Sequence, residues 1–292
     1  MSDVKHDWYV RGVICILLSA FCFACMNVCV RLAGDLPSVQ KSFYRNLVAA
    51  VIAAAMVFRS RMPLRIPQKA YPALALRCLF GTLGILCNFY AIDHLLIADA
   101  SILNKLSPFF AVVFSFLLLK ETIRPFQAIC VLTAFGGCFF IVKPGFENAA
   151  VLPALIGVFG GLGAGLAYTM VRKLGSMQIK GPVIVFYFSL FSCLAVVPWL
   201  IVHVTPMTLR QQAVLLLAGV CAAGGQFSIT AAYTYAPAKK ISIYDYSQII
   251  FASIFGFALF GEIPDRYSMI GYLLITGSSV LMFLYNRKDK TA

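Results

Sequence analysis

Apolar residues in this chain come in runs too long for a soluble core. Ten can be placed, near 12–33, 39–58, 73–93, 98–119, 125–143, 151–171, 182–203, 212–235, 241–260 and 267–285. Each approaches the roughly 20 residues that a helix needs to cross a hydrocarbon layer about 30 Å thick. Short polar stretches separate the runs, and little chain is left over. The pattern predicts an all-α integral membrane protein of ten transmembrane helices.

The runs repeat. Shifted by 141 positions, CVRLAG (29–34) meets MVRKLG (170–175), and FAVVFSFLLLKE (110–121) meets FASIFGFALFGE (251–262). Arg31 then falls on Arg172, Gly34 on Gly175, Ser101 on Ser242, Glu121 on Glu262 and Gly136 on Gly277. The second run needs a shift two residues larger, which sets SFYRN (42–46) against VFYFS (185–189). The chain therefore divides into two related units, 12–143 and 151–285, of five spans each. Five is odd, so the second unit enters the bilayer from the opposite side. The expected fold is two inverted five-helix repeats around a central cavity. If one unit can close over a midplane site from one side, its inverted copy can close from the other. This is the physical basis of alternating access. The same partnership argues against reading the first 25 residues as a cleaved signal peptide, despite their basic start and apolar continuation.

Charge sets the orientation. The chain is 61% hydrophobic and 12% charged, with a net charge of +13. With the N-terminus in the cytoplasm, sixteen Lys and Arg fall in cytoplasmic segments, five on the other side, and Arg45, Arg77 and Lys105 inside helices. Basic residues concentrate on the cytoplasmic side of membrane proteins. Both termini are thus expected inside a cytoplasmic (inner) membrane, and the basic excess does not indicate a nucleic-acid partner. All ten cysteines lie within predicted helices, which is packing chemistry rather than a disulfide framework. Cys22 and Cys25 form a lone CxxC with no second pair to complete a metal site. No GxSxG, HExxH or phosphate-binding GK[ST] loop is present, and His6, His94 and His203 are isolated. Neither an enzyme nor a cofactor or ATP-driven machine is indicated.

Three segments carry a family resemblance: FYRNLVAA (43–50), LNKLSPFFAVVFSFLLLKE (103–121) and AAYTYAPAKKISIYDYSQIIFASIFGFALFGEIPD (231–265). Together with the duplication they resemble the EamA family of the drug/metabolite transporter superfamily over essentially the whole chain. The resemblance implies ten helices, cytoplasmic termini, a central cavity, and transport of amino acids, vitamins, nucleoside-like compounds or drugs. The YDY run (244–246) is similar to riboflavin- and S-adenosylmethionine-type carriers of that family. The family's LSP stands in the fourth helix, whereas the second-half equivalent, SQI (247–249), lacks the proline. The two halves are expected to differ in flexibility there.

A charge in hydrocarbon costs about 3 kcal/mol or more unless it finds a partner or water, so intramembrane ionisable residues are the first candidates for a site. Lys105, flanked by Asn104 and Ser107, is either a cavity cation for a carboxylate or phosphate, or a snorkelling or paired lysine. Pro108 cannot donate a backbone hydrogen bond and crowds the carbonyl of Asn104, leaving a kink that either lines a cavity or merely packs. Asp245 in the ninth helix is either a proton-coupling carboxylate or a solvated acid near Lys239 and Lys240. Counted along straight helices at about 1.5 Å per residue, Lys105 and Asp245 fall ~6–7 Å to opposite sides of the midplane, which argues against a direct ion pair. Arg45 either snorkels or faces the bundle as an anion ligand or clamp; the resemblance implies a role for a basic residue there. Arg77, one turn from the cytoplasmic end, is read as snorkelling.

Tyr44, Tyr168 and Tyr246 offer rings and hydroxyls, as do Tyr90, Tyr233 and Tyr244. Asn88, Gln226 and Gln248, with Asn27, offer donor and acceptor together. Each is either substrate contact or helix–helix glue. Collectively they favour an amphipathic or aromatic organic solute over an inorganic ion. Glu121 and Glu262, at helix ends on opposite sides, are read as capping or gate-adjacent partners of basic residues. The expected function is a secondary-active carrier of small metabolites, working against lipid and with a proton or counter-solute as the coupling partner the sequence allows. The alternatives are a channel or a lipid-flipping protein of the same architecture.

Overall fold

Helix is the only backbone arrangement that satisfies every N–H and C=O within a single chain segment in lipid, and the described residues follow that rule almost throughout. The computed structural model describes residues 2–119, 124–143, 150–235 and 242–288. Glu121, Lys239 and Lys240 lie outside the described residues, as does the side chain of Tyr233. The helices are α1 (Ser2–Leu32), α2 (Ser38–Arg59), α3 (Tyr71–His94), α4 (Ile97–Asn104), α5 (Ser107–Leu119), α6 (Pro125–Val142), α7 (Val151–Ser176), α8 (Gly181–His203), α9 (Leu209–Tyr235), α10 (Ser247–Phe260) and α11 (Arg266–Lys288). Among the described residues nine spans are long and apolar enough to cross a membrane, and the tenth, Tyr244–Phe260, is shorter. Ten crossings return the chain to the face from which it started, called here the terminal face; the other is the far face.

The packing carries the duplication into three dimensions. Under the exchange of halves, α1 corresponds to α7 and α3 to α9. The structure packs α1 along α9 and α3 along α7, so each long contact is the counterpart of the other. α2 lies against α8, and α6 against α11, each a span packed on its own repeat mate. The fold is two inverted five-helix repeats.

Small residues allow the α3–α7 approach. A Cβ added at Gly163 would sit 2.9 Å from the carbonyl oxygen of Phe80, and one at Gly84 3.2 Å from that of Gly160. Backbones this close gain dispersion contacts that lipid tails cannot supply.

The fourth and ninth spans are both broken. α4 ends at Asn104, Lys105 and Leu106 form a turn, and α5 restarts at Ser107 with Pro108 in its first turn. The proline explains the break, since it has no N–H to return to Asn104. The carbonyls near the break pack against glycines of α7: an added Cβ would lie 2.7 Å from the Leu103 oxygen at Gly161 and 2.7 Å from the Ser107 oxygen at Gly165. The ninth span begins as a 3-10 helix, Ser242–Tyr246, before α10. The expected asymmetry of the two halves is thus corrected in one respect: SQI lacks the proline, yet its span is also irregular just before it.

Replacing Gly163 by Ala should force α3 and α7 apart and lower the melting temperature of the purified protein, with about 1–3 kcal/mol of overpacking strain. Gly277, where an added Cβ meets nothing within 4 Å, should accept Ala with no loss of melting temperature.

Candidate functional site

The irregular segments of the fourth and ninth spans meet. Lys105 caps the end of α4, and Asp245 lies in the 3-10 turn leading into α10. Lys105 Nζ donates to Asp245 Oδ2 at 2.5 Å. The Tyr246 hydroxyl donates to the Lys105 carbonyl at 3.1 Å, a bond spanning 141 residues of sequence. The expectation that Lys105 and Asp245 would sit too far apart is overturned. It rested on straight α-helices at 1.5 Å per residue; a 3-10 turn rises about 2.0 Å per residue and a broken helix changes direction. Two pseudo-equivalent breaks therefore bring both residues to one level. Asp245 Oδ1 remains buried without a hydrogen-bond partner among the described residues.

Around this pair the helices leave a central hollow of about 110 Å³. Both halves contribute. Of the residues expected to bind solute, Arg45, Asn88, Asn104, Lys105, Tyr168, Gln226 and Gln248 line it, as does Asp245. Two others do not line it. Tyr44 packs beside Ala33, Leu36 and Leu215 with its ring edge against Phe43, away from the hollow. Tyr246 is 9% exposed and its hydroxyl is engaged by the fourth span rather than turned to the hollow. Pro108 is not among the lining residues; it shapes the break.

Arg77, read from sequence as snorkelling, is instead 6% exposed and lines the hollow. Its guanidinium carbon stands 3.9 Å above the centre of the Phe188 ring, and its Nη1 occupies the space that a side chain at Gly81 would need. The sequence did hold a signal: a glycine one turn on leaves a trough into which an arginine can fold. Arg45 is 7% exposed, on the same hollow, and donates from Nη1 to Asn46 Oδ1 at 2.6 Å. The Nε of each arginine is buried without a partner among the described residues.

A second polar layer lies at the far face. Gly261 ends α10 with φ +65°, a left-handed turn that glycine adopts freely. The turn sends Glu262 back toward the first half. Glu262 Oε1 accepts from Arg31 Nη2 at 2.7 Å, and Oε2 accepts the Ile97 backbone N–H at 2.7 Å, capping α4. Arg31 also donates to the Leu95 carbonyl. Lys143 joins Asp265 at 2.6 Å, again linking the two halves. Within the first half, Lys41 is fully buried against Asp93 at 2.6 Å. Asp99, not singled out from sequence, accepts the Tyr272 hydroxyl at 2.7 Å.

Lys105→Met should leave Asp245 buried and unpaired, a loss of about 3–5 kcal/mol for a buried pair broken on one side. The double variant Lys105→Met with Asp245→Leu should recover most of it in a thermal-unfolding series.

Comparisons with known proteins agree with this architecture. The pattern of the EamA-like transporter family matches residues 10–143 and again 151–284. The pseudopaline exporter CntI of Pseudomonas aeruginosa is 31% identical over 94% of this chain and 97% of its own length. The riboflavin transporter of Brucella anthropi is 24% identical over 89% of this chain and 94% of its own, and human solute carrier family 35 member G1 is 25% identical over 92% and 78%. One solved crystal structure superposes with a TM-score of 0.67 over 95% of this chain and 98% of that one, at 15% identity, which speaks to the fold.

Proposed function

As this chain belongs to the EamA-like transporter family and is a membrane transporter rather than an enzyme, we propose that it carries a small organic metabolite by alternating access. It works as a secondary-active carrier in the cytoplasmic membrane, with both termini in the cytoplasm. One observation carries the reading: a polar hollow shared by the two inverted halves, shut at the far face by ion pairs that run from one half to the other.

The far-face lock is what makes the transport alternate. Arg31 to Glu262 and Lys143 to Asp265 hold the halves together on that side. The 141-residue offset pairs Arg31 with Arg172 and Glu262 with Glu121, so the sequence carries the same residue types at span ends of the other membrane face. A rocking of one half against the other releases these far-face pairs. A proton or counter-solute supplies the driving gradient, with Asp245 as the coupling carboxylate.

Purified protein in liposomes should show saturable flux of at least one labelled solute from a panel of amino acids, nucleosides and riboflavin. It should also show counterflow, in which unlabelled solute on one side draws label across. Non-saturating flux without counterflow would establish a channel instead. Glu262→Gln should slow counterflow by about tenfold, corresponding to about 1.4 kcal/mol lost from the closed state, with equilibrium binding little changed.

A further inference from the structure

The central hollow holds more positive charge than its own residues neutralise. Arg45 and Arg77 both line it, both are more than nine-tenths buried, and neither meets a carboxylate among the described residues. The carboxylate of the lining, Asp245, is already joined to Lys105. Two guanidinium charges are left over on one hollow in a low-dielectric interior. What they do have is incomplete: one amide oxygen for Arg45, one aromatic face for Arg77, and an orphan Nε on each. A buried charge persists in a membrane bundle where it faces a partner or an aqueous path. A guanidinium is built to hold carboxylate or phosphate oxygens through two parallel N–H donors.

Resting on the carrier reading, we propose that the transported solute is an organic acid with at least two acidic groups. These groups are held at Arg45 and Arg77, and the solute also has an amine or hydroxyl donor that reaches Asp245 Oδ1. That oxygen is buried and takes no hydrogen bond. Since Oδ2 is held by Lys105, a donor from the solute is what completes the carboxylate. Gln226 and Gln248, on the same lining, provide neutral hydrogen bonds between the two ends. Solutes with net positive charge are repelled by the arginines, and solutes with a single carboxylate leave one arginine uncompensated.

The test is binding to the full-length protein in detergent, followed by counterflow in liposomes. The probes are glutamate, succinate, citrate, leucine, arginine and spermidine. Glutamate and citrate, which carry two or more carboxylates and a donor, should raise the melting temperature. Succinate, with two carboxylates and no donor, should do so less. Leucine, arginine and spermidine should have no effect. Arg45→Gln and Arg77→Gln should each abolish the ligand effect, yet melt no lower than wild type when empty, because each removes an uncompensated charge. Arg45→Lys and Arg77→Lys keep the charge but lose the fork, and should weaken binding by about tenfold without erasing the preference for acids. If the Gln variants melt lower when empty and keep the ligand effect, the arginines are structural and the proposal is overturned. Failure of all the acids to bind, or saturable counterflow of leucine or spermidine that survives both Gln substitutions, also overturns it; the last result would leave the carrier reading standing. Absence of saturable flux for every probe, with acid binding intact, would instead remove the carrier reading alone.

Discussion

Polar groups in hydrocarbon have no water to turn to, and the arrangement at mid-membrane follows from that constraint. Breaking a helix there exposes backbone carbonyls, and placing an ammonium there leaves a charge to be neutralised. This chain does both in the fourth span and meets the demand with the ninth. Lys105 finds Asp245, and the Tyr246 hydroxyl finds the Lys105 carbonyl. Leu103 and Ser107 turn their carbonyls against glycines of α7. Each half is incomplete without the other, so the point of greatest backbone irregularity is also where the halves are pinned.

The pin and the far-face lock divide the work between them. The Lys105–Asp245 contact lies at the level of the hollow, between elements related by the duplication. A contact near a pseudo-two-fold axis can survive rocking of one half against the other with little change in length. The contacts at Glu262 and Asp265 lie at the periphery, where the same rocking produces the largest displacement. Their chemistry suits a reversible role. The Arg31 side chain is 24% exposed and that of Lys143 30%, so solvent is at hand to hydrate the charges when the pairs open. Lys41 and Asp93, buried within one half, tie α2 to α3 and do not join the two halves.

The helical content and the duplication were legible because they are written in long-range patterns. Apolar run length reports the bilayer, and paired Arg, Gly and Glu at a constant offset report the repeat. The candidate site was legible where polarity sat deep in a run, as for Lys105, Asn88 and Gln226. It was misjudged where the position depended on local geometry. Tyr44 was assigned by type, but helical phase turns it to another interface. Arg77 was assigned by its distance from the helix end, but Gly81 gives it room to fold inward. The distance between Lys105 and Asp245 was computed for straight helices, and both residues lie where the helix is not straight. Run length and offset carry no information on phase within a turn.

That misjudgement bears on how the site operates. Had the cation and the acid stood apart at opposite ends of the hollow, each would have been free to bind solute, and the net demand of the lining would have been mixed. Because they neutralise each other, the unmet charge passes to Arg45 and Arg77, on α2 and α3 of the first half, with Phe188 of the second half stacked on one of them. On the proposed reading, an anion held at both arginines compensates charge on the first half and, through Arg77 and Phe188, reaches the second. Solute binding and the relative position of the halves are then parts of one equilibrium, since a ligand shifts a conformational balance only by the difference in its contacts between the two states. Under the proposed alternating access, the surplus positive charge then couples occupancy to movement as well as selecting the solute.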